Sequence, residues 1–405
     1  VDAVRDLFVR DGKIAAEPAP GATVVDAKGL VVTPGLIDMH VHLREPGRSD
    51  KETIETGTRG AAMGGFTSVV CMPNTSPAAD NAGTIAFIKQ RAATVGLVNV
   101  LPAGAITKNL EGKEMAPIGS LKRAGVVAIS DDGHCVQNSE LMRGATQYAK
   151  MFNLPVLDHC EDTYLTADGV AHEGYWNTVL GLHGWPSAAE EIIVARDVVL
   201  AELADWHIHC QHLSAAGSVR IVREAKRRGV KISAEACPHH FTLTDECLKG
   251  YDTNFKMNPP LRTRRDVDAI IEGLADGTIE AIASDHAPHC AYEKEVEFDK
   301  APFGIIGLET ELALSLALVH KKALTLPQLV EKFTVGPARI LRLNKGTLSV
   351  GADADITLMD PAREWTYDVH KTASLSRNTP FHGWKLKGKA VMTIVAGRIV
   401  WQEKS

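Results

Sequence analysis

Two histidines one residue apart are the residues best suited to chemistry in this chain: His40 and His42, in Val32-Thr-Pro-Gly-Leu-Ile-Asp-Met-His40-Val-His42-Leu-Arg44-Glu-Pro-Gly47. They follow an apolar run, Leu30 to Ile37, broken only by Thr33, Pro34 and Gly35. In a strand, residues i and i+2 point to one face, so the two imidazoles would project side by side. Because His-x-His pairs also arise by chance, a metal site requires further ligands at comparable strand ends. Such residues are present. Asp131 and Asp132 lie in Val127-Ala-Ile-Ser-Asp-Asp-Gly133, His159 in Val156-Leu-Asp-His-Cys-Glu-Asp162, His212 in His207-Ile-His-Cys-Gln-His-Leu-Ser214 and Asp285 in Ala281-Ile-Ala-Ser-Asp-His-Ala-Pro-His289. This mixture of imidazole and carboxylate suits zinc or another first-row divalent ion. A lone strand-end histidine is more often a hydrogen-bonded core residue, and His207, His209, His239 and His240 are read that way. Of the three histidines near the sixth strand, His212 lies nearest its C-terminal end and is the expected ligand. Adjacent Asp131 and Asp132 face opposite ways, so one of the two is expected to bind metal. Glu161, Asp162 and Glu235 are candidates to support the ligands, or else solvated or salt-bridged residues.

A second set could read a substrate. Arg44 lies two positions past His42, on the same face if the strand continues. Asn74 sits in Cys71-Met-Pro-Asn-Thr75, Asn258 in Lys256-Met-Asn-Pro-Pro-Leu-Arg262, and His289 closes the loop after Asp285. Arginine with amides and a histidine suits a carboxylate beside an amide or imide. Turn capping next to proline is the plainer account of the two asparagines. Phe303-Gly304 could set backbone groups against a ligand, or form a loop before a helix near Leu308. A bound divalent ion lowers the pKa of its water from about 15.7 to about 7 and polarises a carbonyl. A carboxylate beside that hydroxide can then take its proton and pass it to a leaving nitrogen. Asp285 is the expected base, because the eighth strand of a closed barrel lies next to the first.

Positioning these groups requires eight strands that end at one face. Strand candidates are Leu36–His42, Thr67–Met72, Val98–Ala105, Val126–Ser130, Pro155–His159, His207–His212, Lys231–Ala236 and Ile279–Ser284. Between most of them run stretches with helical spacing, among them Asp50–Met63, Thr84–Ala93, Ser139–Met151, Ala188–Leu203 and Ser218–Arg228. Ser187 with Glu190 three residues on reads as a capping box. The alternation fits an α/β fold, a (β/α)8 TIM barrel, whose typical size is roughly 250 residues before insertions. An open doubly wound sheet is disfavoured, since no Gly-x-Gly-x-x-Gly turn follows a strand. Leu7–Ile14 reads as a hairpin around Asp11-Gly12. Gly346–Asp360 and Lys387–Trp401 read as two more, so both chain ends are expected to meet in one small β-sandwich. The expected division is 1–30 and 341–405 for the sandwich and 31–340 for the barrel.

The 405-residue chain carries a net charge of −6, with a pI near 6.3, which argues against a nucleic-acid partner. Seven cysteines without a Cys-x-x-Cys pair imply reduced thiols and a cytoplasmic protein. No run of roughly 18 apolar residues is present to cross a membrane. The chain opens on Val1 inside a strand-turn unit, so natural residues are expected before it and the sandwich is expected to be incomplete.

Pro34–Gly47 resembles the first metal-binding signature of the cyclic amidohydrolases. Within that superfamily, Met72-Pro-Asn-Thr75, Ser130-Asp-Asp-Gly133, His159-Cys-Glu-Asp162 and Ser284-Asp-His-Ala-Pro-His289 resemble the type I dihydroorotases. The similarity runs through nearly the whole chain. It implies a (β/α)8 barrel, a composite β-sandwich, and interconversion of N-carbamoyl-L-aspartate and L-dihydroorotate in de novo pyrimidine synthesis. It further implies His40, His42, Asp132, His159, His212 and Asp285 as ligands of zinc, two ions per subunit with one ion allowed, and Asp285 as proton shuttle. His42, Leu43, Arg44, Asn74, Asn258, His289, Phe303 and Gly304 fall where the family contacts substrate. A homodimer and an association with aspartate carbamoyltransferase are compatible with the resemblance. Hydantoinases and allantoinases bridge their metals with a carboxylated lysine after the fourth strand. Ser130-Asp-Asp-Gly stands there instead, which favours the dihydroorotase branch over another cyclic amidohydrolase. A catalytically inactive dihydroorotase-like scaffold is disfavoured because the ligand set is complete.

Overall fold

The computed structural model describes residues 3–403. The chain opens with a hairpin, β1 (Phe8–Arg10) and β2 (Lys13–Ala15), then β3 (Val31–Pro34) and the first barrel strand, β4 (Leu36–Val41). Barrel strands β5 (Phe66–Cys71), β6 (Asn99–Gly104), β7 (Ala128–Ser130) and β8 (Val156–Asp158) follow. A two-stranded parallel pair, β9 (Ala171–His172) and β10 (Gly184–Trp185), interrupts them before β11 (Ile208–Cys210), β12 (Ile232–Ala236) and β13 (Ala281–Ile282). Strands β4, β5, β6, β7, β8, β11, β12 and β13 form one parallel sheet in that order. A parallel bridge between Val41 and His286, with His42 N donating to His286 O at 2.9 Å, brings its two edges together. The expected barrel is therefore present, with its strands ending at one mouth.

Parallel strands buried on both faces need near-continuous apolar sequence, and all six residues of β4 and of β5 are buried. The barrel interior is packed by Ile37, Met39, Val70, Met72, Leu157 and small alanines, and Ile340 and Leu341 belong to the same apolar cluster. A larger apolar layer lies between the strands and the surrounding helices, which include Ile54–Gly64, Ala82–Val95, Ser139–Met151, Ala188–Ala204 and Ala216–Arg227.

The last strands, β14 (Ile356–Thr366), β15 (Lys385–Val395) and β16 (Arg398–Gln402), form an antiparallel sheet with β3 in the order β16-β15-β14-β3. The hairpin β1–β2 packs on it through Ile14, which is buried with Ala354, Ile356, Leu358 and Met392. Both chain ends thus build one β unit beside the barrel, and the expected 387–401 hairpin is β15–β16. Two local expectations fail. Gly346–Asp360 is not a hairpin: residues before Ile356 stay irregular because β2 and its turn claim them. Ile14 N donates to Ala352 O at 2.9 Å, and Ala354 N to Gly12 O at 2.8 Å. Ser187 does not cap its helix, having helical angles (φ −58°, ψ −30°) and no capping hydrogen bond. Its intended partner Glu190 turns inward instead, accepting from Ser214 N at 3.1 Å, Ala215 N at 3.0 Å and the Ser214 hydroxyl. Buried backbone N–H groups need an acceptor, and this demand outweighs a cap that water can replace.

Candidate metal centre and active site

The barrel brings together residues 245 positions apart in the chain, from His40 to Asp285. His40 Nε2 lies 3.1 Å from Asp132 Oδ1 and 3.5 Å from Asp285 Oδ1. His42 Nε2 lies 3.4 Å from Asp132 Oδ2 and 3.1 Å from Asp285 Oδ1. On the other side of Asp132, Oδ1 is 3.6 Å from His159 Nδ1 and 3.7 Å from His212 Nε2, and those two nitrogens are 2.8 Å apart. The donors therefore fall into two groups that share one residue: His40, His42 and Asp132, and Asp132, His159 and His212. Asp285 closes the first group.

Local structure explains how each side chain reaches the mouth. β4 stops at Val41, so His42 is the first residue past the strand, yet its ring centroid stays 5.5 Å from that of His40. Arg44, His212 and Asp285 have left-handed backbones (φ 56°, 32° and 47°), a conformation costing of order 1–3 kcal/mol outside glycine. The strand does not continue to Arg44, so the expectation of a face shared with His42 fails. Its Nε instead donates to Pro288 O at 3.3 Å, beside the Asp285 loop. Asp132 and Asp131 part as adjacent residues should. Asp131 accepts from Ile106 N at 2.8 Å and Thr107 N at 3.0 Å and ties two loops together, whereas Asp132 faces the histidines.

Three of the four imidazoles are held from behind. His40 Nδ1 is 2.7 Å from Glu235 Oε1, His42 Nδ1 is 2.9 Å from Asn74 Oδ1, and His159 Nε2 is 2.9 Å from Glu161 Oε2. Each partner is an acceptor, so the outer nitrogen donates to it and the inner one faces the cluster, where the neutral ring would offer a lone pair to a bound ion. Glu235 and Glu161 thus support the cluster, while Asp162 caps a short helix through Tyr164 N and Leu165 N. His209 is a buried support for Glu235 at 3.1 Å, and His207 and His240 bond Ser233 and the Pro259 carbonyl.

The donor set fits a cation. His40 Nε2 and Asp132 Oδ1 are buried without hydrogen-bond partners although they face each other, an arrangement that a positive ion between them would satisfy. The electrostatics agree. Burial pushes His159 down, but Asp132 and Glu161 pull it up to about 10. Burial pushes Asp285 up, and the charge of His40 with the hydrogen bond from His42 more than reverses this, holding it below the usual carboxylate range. Burial lowers Arg44 to about 10, which leaves it charged at neutral pH.

The remaining expected residues surround this cluster. Leu43 is buried in the apolar layer against the helix Ile54–Gly64, so it can offer only backbone to a ligand. Asn74 and Asn258 are not turn caps: Asn258 Nδ2 donates to Glu161 Oε2 at 3.2 Å and leaves a buried Oδ1 without a partner. His289 is pushed down to about 2 by burial and the nearby Arg44 and Lys51, so it is neutral. Its Nε2 donates to Phe303 O at 2.9 Å, and its Nδ1 accepts from Lys51 Nζ at 3.2 Å. Gly304, at φ 108°, packs so close to Ala287 that an added Cβ would lie 2.6 Å from its side chain. Reading the sequence passed over Glu52, whose Oε2 is 3.1 Å from His286 Nε2, and Asp38, which accepts from His40 N at 3.0 Å and Ser284 N at 3.2 Å. Asp38 sits inside the first motif, and its place in an apolar run was the available signal.

The sequence matches the Dihydro-orotase-like family over residues 29–218 and the Amidohydrolase family over residues 313–401. It is similar to the L-hydantoinase (dihydropyrimidinase) from Arthrobacter aurescens in structure, with a TM-score of 0.87 at 26% identity, covering 98% of this chain and 92% of that one. Dihydropyrimidinase from Brevibacillus agri gives a TM-score of 0.85 at 26% identity, covering 98% and 91%. In sequence it is far nearer to dihydroorotases. It is 57% identical to that of Pelotomaculum thermopropionicum over 99% of this chain and 95% of that protein. It is 54% identical to that of Citrifermentans bemidjiense over 99% and 96%. Identity at that level, sustained along both sequences and including the barrel and the strands at both ends, means that the chain belongs to the dihydroorotase family of cyclic amidohydrolases.

Proposed function

We propose that this chain interconverts N-carbamoyl-L-aspartate and L-dihydroorotate in de novo pyrimidine (UMP) synthesis, with zinc held by His40, His42, Asp132, His159, His212 and Asp285. The observation that carries this reading is the pairing of an aspartate-bridged His/Asp cluster with a half-buried, charged arginine at the same mouth. Two donor groups sharing Asp132 support two ions, and either group alone could hold one. Bound there, a divalent ion supplies a Lewis acid for the amide carbonyl and makes nearby water acidic.

The side chains do the rest. Arg44 pairs with the substrate carboxylate, since a guanidinium suits a planar carboxylate bidentately. Asn258, His289, Phe303 and Gly304 line the substrate with it, together with His42, Leu43 and Asn74. In ring opening, Asp285 takes a proton from the attacking water and returns it to the ring nitrogen as the C–N bond breaks. Ring closure runs through the same proton transfer in reverse. Its depressed pKa keeps Asp285 ionised, and so able to accept, at neutral pH. Arg44→Met is expected to raise KM for dihydroorotate by about 30-fold or more, the loss of roughly 2 kcal/mol from an unpaired buried charge. Metal content should stay at the wild-type level, and a KM unchanged by the substitution would remove Arg44 from substrate binding.

The deciding experiment measures turnover of dihydroorotate, carbamoyl aspartate and a hydantoin alongside the metal content of the purified protein. Activity on the hydantoin alone would assign the chain to another cyclic amidohydrolase activity, and a metal-free inert protein would make it a scaffold. Among the described residues all seven cysteines are free thiols, which supports a reducing cytoplasmic setting, and no helix is long and apolar enough to cross a membrane. A homodimer and a carbamoyltransferase partner belong to the same proposal. So does the division into 1–30, 31–340 and 341–405, except that β3 (Val31–Pro34) pairs with β14 and so lies with the β unit, the barrel beginning at β4.

A further inference from the structure

Two segments at the barrel mouth carry the groups assigned above to proton transfer and substrate: Asp285–His289 and Phe303–Gly304. They run side by side through one parallel bridge, His286 with Ile305, where Ala287 N donates to Ile305 O at 2.8 Å. Strand pairing ends there, and the polar backbone groups beyond it turn to a single side chain from a distant part of the chain. Asn378, 4% exposed, lies in the crossover between β14 and β15. Its Oδ1 accepts from His289 N at 3.0 Å, and its Nδ2 donates to Ala287 O at 2.9 Å and to Gly304 O at 3.1 Å. Its own carbonyl accepts from Ile306 N at 2.9 Å.

We propose that Asn378 is a positioning residue that sets the separation of these two segments, so that the C-terminal part of the chain completes the substrate site. A primary amide is the one small side chain that can accept from one backbone group while donating to two others. The segments also meet directly where His289 Nε2 donates to Phe303 O at 2.9 Å, but among the described residues Asn378 is the side chain that holds the three backbone groups His289 N, Ala287 O and Gly304 O. Asp285 does not depend on this amide. It is anchored on the barrel wall, where Ser284 N donates to Asp38, His286 N to the Ser284 hydroxyl at 3.0 Å, and His42 N to His286 O. The crossover is fastened separately, by Ser376 Oγ donating to Lys51 O at 2.7 Å. Losing the Asn378 side chain should therefore loosen His289 and Gly304 while leaving Asp285 in place.

The inference rests on the dihydroorotase reading, and steady-state kinetics on the full chain tests both. Asn378→Ala is expected to raise KM for dihydroorotate by about tenfold or more, with kcat within about threefold of wild type and metal content unchanged. Asn378→Asp keeps the acceptor for His289 N but turns an oxygen toward two carbonyls. It should raise KM likewise, and it carries the test if the alanine variant does not fold. Ser376→Ala should lower Tm without moving KM. Active wild-type protein with both Asn378 variants within about twofold of its KM would overturn the inference alone, as would a joint fall of kcat and metal content. Wild-type protein inert toward dihydroorotate would overturn the activity reading, and this inference with it.

Discussion

Asp285→Ala is expected to lower kcat for dihydroorotate by about 10²–10⁴-fold, the usual range for loss of a positioned acid–base group, while the barrel stays folded. The position is exposed to a confounding effect, since alanine at φ 47° is strained by roughly 1–2 kcal/mol where aspartate is tolerated. Asp285→Asn removes that confounder: the amide keeps the left-handed backbone and can still accept at His42, but it cannot carry a proton between water and nitrogen. Both variants should therefore be inactive, with the asparagine form at near wild-type Tm. Carboxylate ionisation is already complete at neutral pH because His40 and His42 outweigh the burial that would raise the pKa. Turnover of either variant at the wild-type rate would take Asp285 out of the mechanism.

Asp132→Ala should have the largest effect on metal content. Its two oxygens face four imidazoles, and it is the one residue common to both donor groups. Outer partners of metal ligands typically contribute about 10–100-fold to affinity, and a carboxylate shared between two groups should contribute more. The expected result is metal content below one ion per chain by elemental analysis, with activity lost in parallel. Asp131→Asn is the informative contrast. That neighbour accepts from Ile106 N and Thr107 N, so its loss should lower stability and leave the bound metal in place. Wild-type metal content in Asp132→Ala would mean that the bridge is not made by this residue.

Much of this site was legible because each piece of it is local. An apolar run followed at once by His, Asp or Asn marks a strand that ends in a polar loop. Eight such runs separated by helical spacing leave few folds other than a barrel. The expected strands Leu36–His42, Thr67–Met72 and Lys231–Ala236 lie within a residue or so of β4, β5 and β12. Expectations based on short-range pairing fared worse where a distant partner had more to offer. Glu190 forgoes its helix cap for Ser214 and Ala215, and residues 346–354 forgo a hairpin with their own neighbours for the turn at Gly12. Arg44 leaves the strand altogether.

The sequence by itself determined which residue types stand at the strand ends, and hence a His/Asp chemistry suited to a divalent ion. Which of two adjacent aspartates turns toward the histidines was decided only when β7 was placed between β6 and β8, because strand alternation separates neighbours without saying which faces inward. The partners that fix each imidazole were likewise decided by the closed barrel. Glu235 is 195 positions from His40, and Asn74 is 32 from His42. A hydrogen bond depends on distances of a few ångströms and on direction, and neither quantity exists until packing has brought distant strands to one mouth.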